Sequence, residues 1–245
     1  MLPLVRFARA GLRVRHCGRF LLYFAGLGLG FIMIEMALLQ RFTLFLGQPV
    51  YTYAVVLAGL LVCTGVGAYA AGRLRSQPWQ HLRWIIPLIV VTLVGTAFLT
   101  PVVFTTALAL PLVWRILLAL ILIAPLGVLL GMPFPTGLRI VAQEAAALVS
   151  WAWGVNSFCT VIGTVIALML GMAFGFKAVL VLAALCYVIA LAAMWRCAMP
   201  FPRAQPFPPN TQLNGRPFPA TAWAEGGQFN GPPSTPRTLL HPAHL

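Results

Sequence analysis

Six stretches of the chain are apolar almost without interruption: 20–39, 51–72, 85–108, 112–132, 151–174 and 178–195. Each holds roughly 20 residues, the length at which a helix rising about 1.5 Å per residue crosses a hydrocarbon layer about 30 Å thick. The expected architecture is therefore all-α, a polytopic transmembrane bundle of about six spans joined by short connections. Proline punctuates it. Pro87 falls one turn inside the third run, Pro111 marks the turn between the third and fourth, and Pro125 is expected to kink the fourth.

The flanks differ in character. Residues 1–19 form a basic arm with Arg6, Arg9, Arg13, Arg15 and Arg19. A basic start before an apolar run also suits a signal peptide, but no small-x-small cleavage site closes the run and five more spans follow. An arm lying on lipid headgroups fits better. Residues 198–245, rich in Pro, Gly, Asn and Gln, show no apolar periodicity and read as a disordered or polyproline-like tail. The six-helix domain between them occupies 20–197. Thirteen of the sixteen Lys/Arg fall on one side of the alternating spans, and only Arg41, Arg115 and Lys177 on the other. Positive-inside bias puts the first set, and both termini, in the cytoplasm.

Composition narrows the functions. Of the residues 61% are hydrophobic and only 8% charged, with a mean hydropathy of +0.94, so lipid is the solvent for most of the chain. No room remains for a soluble catalytic domain. The net charge of +13 sits between apolar stretches, which suits anionic headgroups rather than nucleic acid. The five cysteines form no CxxC pair, so neither zinc nor a disulfide framework is expected. His16, His81, His241 and His244 fall in loops or termini, and nothing resembles a nucleophile–base pair, a metal cluster or a phosphate loop. No cofactor is expected, and the chain by itself reads as non-catalytic.

Polar residues within or beside the spans are the candidates for chemistry. Glu35 is the only acidic residue inside a span. It lies near the outer end of span one, where Arg115, Gln40 or Arg41 is within reach as a partner. It reads either as a proton or cation site or as a polar pin between helices. Gly26 and Gly30 have GxxxG spacing; Gly59, Cys63, Gly67 and Ala71, and likewise Gly163, Ala167 and Gly171, form small-residue stripes for helix packing. GLGLGF is not a dinucleotide loop, since no strand precedes it. On the cytoplasmic side, GVGAYAAGRLR carries Arg73, and GMPFPTGLR, expected as a tight connection, carries Arg139 and is followed by Glu144. Glu144 is placed to pair with Arg139 or Arg73. Trp151 and Trp153 suit interface anchors, and Asn156, just inside span five, suits a helix–helix hydrogen bond. With Glu35 near the other face, the two are not expected to share a site.

These motifs carry a resemblance. GFIMIEMALLQRFTLFLGQPVYTYAVVLAGLLVCTGVGAYAAGRL, APLGVLLGMPFPTGLR and WAWGVNSFCTVIGTVIALMLGMAFGF resemble, in that order and over 26–176, the membrane region of the spermidine synthase-like (polyamine aminopropyltransferase-like) bacterial membrane proteins. The matching positions are Glu35, Gln40, Arg41, Gly47, Arg73, Pro135, Arg139 and Asn156. The resemblance implies a bacterial cytoplasmic membrane location and a cytosolic methyltransferase-like or aminopropyltransferase-like domain as partner. That domain is missing from this sequence, so aminopropyl transfer is carried over to no residue here. Three readings follow: an accessory membrane domain or subunit of such an enzyme, anchoring it or exchanging small cations with it; a transporter or half-transporter; and a structural scaffold. A half-transporter would resemble a major-facilitator-like half and would have to pair, as a homo-oligomer or with another subunit.

Overall fold

The computed structural model describes residues 17–73, 78–144 and 146–195, with the backbone alone at 78, 79, 144, 146 and 147. The basic arm up to residue 16 and the tail from 196 lie outside the described residues. Among the described residues seven helices form: α1 (Cys17–Leu46), α2 (Pro49–Arg73), α3 (Pro78–Ala107), α4 (Leu112–Gly131), α5 (Pro133–Glu144), α6 (Ala146–Phe174) and α7 (Phe176–Trp195). Among them are six segments long and apolar enough to cross a membrane, the fourth being Leu112–Gln143, which joins α4 to most of α5. The protein is an all-α bundle of the multi-pass membrane type.

Two differences from the sequence reading bear on the site, besides earlier starts for α3, at Pro78 rather than 85, and for α6, at Ala146 rather than 151. The first helix runs on through Gln40 and Arg41 to Leu46, and begins at Cys17, inside the segment assigned to the arm. It stops where Gly47 takes φ +78° and its N–H donates to the Thr43 carbonyl at 3.0 Å. Only glycine enters that left-handed region without cost, which makes it the natural helix terminator. Gly175, at φ +80°, ends α6 in the same way. The second difference is GMPFPTGLR, which is no tight connection. Helix resumes at Pro133 because proline suits a first helical turn, where its missing N–H has no intrahelical partner to lose.

The bundle is organised around α1. About 61% of its apolar window is buried, against 17% for α6, so α1 is the axis and α6 turns most of its surface outward. Glycines set the approach. A methyl group at Gly26 would stand 2.9 Å from the Cys186 carbonyl oxygen, and one at Gly30 would stand 2.7 Å from the Tyr187 ring. Those contacts pair α1 with α7 in opposite directions. On another face, Gly28 meets Asn156 and Ile32 meets Gly163, so α1 and α6 run the same way. The second stripe works likewise: Gly59, Cys63 and Gly67 meet Leu120, Gly127 and Val128, and Gly131 meets the backbone of Thr64. Helices α2 and α4 are thus parallel and nearly in backbone contact. Small residues permit this, and in lipid such van der Waals packing replaces the hydrophobic drive between helices.

Aromatic groups close both ends. Tyr23, Phe24, Phe134 and Trp153 form a chain of edge-on rings from α1 through α5 to α6, with centroids 4.7 to 5.5 Å apart. At the other end of α1, Phe45 stacks on Phe104 of α3 at 4.2 Å. Such geometries satisfy the ring quadrupoles.

Adding a side chain at the α2–α4 contact tests this packing. Gly131→Val should destabilise the protein by about 3 kcal/mol, since the new carbons meet the Thr64 backbone, which cannot swing aside. Gly95→Ala, with nothing within 4 Å, should stay within about 0.5 kcal/mol of wild type. Thermal unfolding in detergent measures both, and equal stability of the two variants would contradict the close approach.

Candidate functional site

A cavity of about 340 Å³ opens where the fourth span is broken. Its walls are Leu27, Gly28 and Phe31 of α1; Leu61, Thr64, Gly65 and Ala68 of α2; Leu130 and Gly131 of α4; Phe134 and Pro135 of α5; Asn156 and Thr160 of α6; and Tyr187 of α7. Gly28 lies nine residues, about 14 Å, along α1 from Arg19 and thirteen residues, about 20 Å, from Arg41, so the cavity sits between the two basic positions of that helix.

Two prolines make the break. Neither Pro133 nor Pro135 has an N–H, so the carbonyls of Leu129 and Gly131 lose their usual donors four residues on. The first is rescued by the Met132 N–H, which donates to Leu129 at 3.3 Å in a tighter turn. The Met132 carbonyl then accepts both from the Thr136 N–H (3.3 Å) and from its hydroxyl (2.7 Å). Across the bundle the buried Tyr23 hydroxyl donates to the Pro133 carbonyl at 2.8 Å. Gly137 leaves the space in which the Tyr23 ring lies. The Gly131 carbonyl is left without a helical donor in a residue that lines the cavity.

The polar lining is rich in acceptors, with the Asn156 amide as a mixed group. The Thr160 hydroxyl donates to the Asn156 carbonyl at 2.8 Å and the Thr64 hydroxyl to the Leu61 carbonyl at 3.1 Å. Each hydroxyl hydrogen is therefore committed to its own helix, and what faces outward is lone pairs. Asn156 adds an amide that brings two N–H donors as well as an acceptor oxygen, the latter 3.1 Å from where a Gly28 methyl would be. Phe31, Phe134 and Tyr187 supply aromatic surface, and no charged residue lines the cavity. Acceptors and ring faces without a resident cation suit a guest carrying N–H donors and positive charge.

The residues singled out from the sequence are dispersed. Asn156 is in the cavity, where its side chain makes no hydrogen bond to another helix among the described residues, contrary to the expectation. Glu35 is half-buried, seven residues and about 10 Å beyond Gly28 on the same helical face, with Phe31 between. It does not line the cavity, and it forms no pair with Arg115 or Arg41. Those cations donate instead to backbone carbonyls and, for Arg41, also to a threonine hydroxyl. Arg115 donates to Leu110 (2.9 Å), Phe45 (3.4 Å) and Leu108, tying the ends of α3 and α1 together. Arg41 donates to the Ala97 carbonyl (3.3 Å) and to Thr100 Oγ1 (3.2 Å). Gln40 lies beside Arg41 in a separate groove.

On the opposite side of the bundle Arg139 donates to the Ala71 carbonyl at 2.7 Å, capping α2 from α5. Arg73 bonds the Tyr69 hydroxyl at 2.5 Å and sits over its ring. The Glu144 side chain lies outside the described residues. Thr64, Thr160, Phe31, Phe134 and Tyr187 escaped the sequence reading, since a lone threonine or aromatic in an apolar span carries no signal of its own. Thr160, one turn after Asn156, was the nearest to a visible pattern. Among the described residues, no group of three or more His, Cys, Asp or Glu could hold a metal.

Neither a family model, nor a curated protein, nor a solved structure matches the chain.

The Tyr23–Pro133 bond generates a direct test of the break. Tyr23→Phe keeps the ring and removes the donor, so it should cost about 1 kcal/mol in thermal unfolding with helix content unchanged by circular dichroism. An unaltered melting temperature would show that the Pro133 carbonyl needs no partner.

Proposed function

We propose that the chain is an integral membrane module that binds a small organic cation in the cavity at the broken fourth span. In this reading it serves as the membrane part, or a membrane subunit, of a spermidine synthase-like system and carries out no bond-making itself. One observation carries it: the cavity offers lone pairs and aromatic faces, because the hydroxyl hydrogens of Thr64 and Thr160 are committed to their own helices. An ammonium group has donors to give and no acceptor, and its charge is attracted to ring faces. Glu35, about two turns further along α1, places a carboxyl on the same helical face.

The resemblance over residues 26–176 supports polyamines as the cation and a cytosolic methyltransferase-like or aminopropyltransferase-like domain as the partner. Positive-inside bias supports cytoplasmic termini in a bacterial inner membrane, with the Arg139 side of the bundle facing that partner. A transport reading draws on the break itself. Discontinuous helices at mid-membrane are where secondary transporters hold their substrates, and a six-span unit of this kind would work with a second unit.

Purified protein in detergent should be stabilised against heat by putrescine or spermidine, and left unchanged by a neutral diol of the same length. Thr160→Val removes a lone-pair donor while keeping shape, and should weaken polyamine binding by about fivefold. Glu35→Gln should weaken it less, as a through-space effect. Uptake of labelled putrescine into proteoliposomes then separates transport from binding alone. Equal responses to polyamine and diol would remove the cation-binding reading.

A further inference from the structure

We propose that a groove between α1, α3 and α7 holds one anionic phospholipid, its phosphate at Arg41 and Lys177 and an acyl chain along α3 and α7. Two adjoining hollows, of about 530 and about 520 Å³, meet at Arg41, Pro101 and Lys177. The first is walled by hydrocarbon, including Leu93, Val94, Leu180 and Val181. The second adds Gln40, Thr43 and Thr100 to the two cations. No acidic residue lines either one.

The cations differ in how they are held. Arg41 uses a single nitrogen, Nη1, for its bonds to Ala97 and Thr100, and the Thr100 hydroxyl in turn donates to the Thr96 carbonyl. The guanidinium is thereby fixed against α3, with its remaining N–H groups unpartnered among the described residues. Lys177, second residue of α7, is exposed and has no partner among the described residues. Because α1 and α7 are antiparallel, the last turns of one and the first turn of the other lie at the same end of the bundle. Arg115, the third cation of that side, is committed to carbonyls and does not compete.

Charge and shape together select the occupant. A fixed guanidinium and a free ammonium beside Gln40 and Thr43, with no carboxylate among them, call for a phosphate. A free phosphate would fill the polar hollow and leave the apolar one unused. A phospholipid fills both, since its chain descends from the phosphate along Val94 and Val181. A zwitterionic headgroup brings a quaternary ammonium toward Arg41 and Lys177, so an anionic lipid is preferred.

Native mass spectrometry of the purified protein, titrated with phosphatidylglycerol or phosphatidylcholine of equal chain length, reads this directly. Wild type should retain phosphatidylglycerol with a preference of about tenfold. Lys177→Gln should cut that preference by about fivefold, one cation's worth at a membrane surface. Val181→Trp, at an exposed position in the apolar hollow, should lower retention of both lipids with the cations intact. Arg73→Gln, a cation outside the groove, should change nothing. Equal retention of the two lipids by wild type, or an undiminished preference in Lys177→Gln, overturns the proposal. Full lipid retention by Val181→Trp overturns it too, because it leaves only an anion site without a chain.

Discussion

A carbonyl in hydrocarbon has no water to fall back on, so every place where a helix is interrupted must be given a donor from within the protein. That constraint accounts for the long-range polar contacts of this bundle. Arg115 bridges the last carbonyls of α1 and the turn after α3. Arg139 reaches from α5 to the end of α2, and Tyr23 reaches from α1 to the start of α5. Gly47 and Gly175 do the same with their own N–H groups, by turning the chain left-handed. The polar groups left uncommitted by this demand are few. Among the described residues they include the cavity's lone pairs, the Asn156 amide, Glu35, Lys177 and the part of the Arg41 guanidinium that Ala97 and Thr100 do not use.

The break in the fourth span shows the constraint and the cavity to be one design. Two prolines remove two donors, and a tighter turn and a distant tyrosine restore part of what was lost. The Gly131 carbonyl remains, at the point where Gly131 also brings α4 hard against α2. Irregular backbone is tolerated at membrane depth where it borders a cavity rather than lipid. Here the cavity borders Gly131, Phe134 and Pro135.

Much of the architecture was legible because its signals are physical and local. Apolar run length identifies six spans, and the Gly59–Cys63–Gly67 and Gly26–Gly30 spacings announce close packing, which Val128, Cys186 and Tyr187 provide. The partner of each stripe was not legible, since spacing states that a backbone can approach and not which one. The end of α1 was misplaced because Gln40 and Arg41 interrupt the hydropathy while continuing the helix. The charged residues misled for a related reason: Glu35 and Arg115 invite pairing by sign, whereas unpaired carbonyls compete for the guanidinium and win. The cavity was hidden because Thr64, Thr160 and Tyr187 acquire meaning only when three separate helices meet.

The parallel course of α1 and α6 bears on how the protein is assembled. The most enclosed helix emerges from the ribosome before its neighbours, yet Gly26, Gly28 and Gly30 dock against α6 and α7, made more than a hundred residues later. At roughly 5–20 residues per second, the first helix waits many seconds in the bilayer with its glycine grooves filled by lipid or by the insertion machinery. Helix insertion and helix association are thus separated in time, and the bundle closes as a late, long-range event. A stop codon or a cleavage that removed only the last two helices would strip α1 of its principal supports and leave the axis of the bundle exposed to quality-control proteolysis.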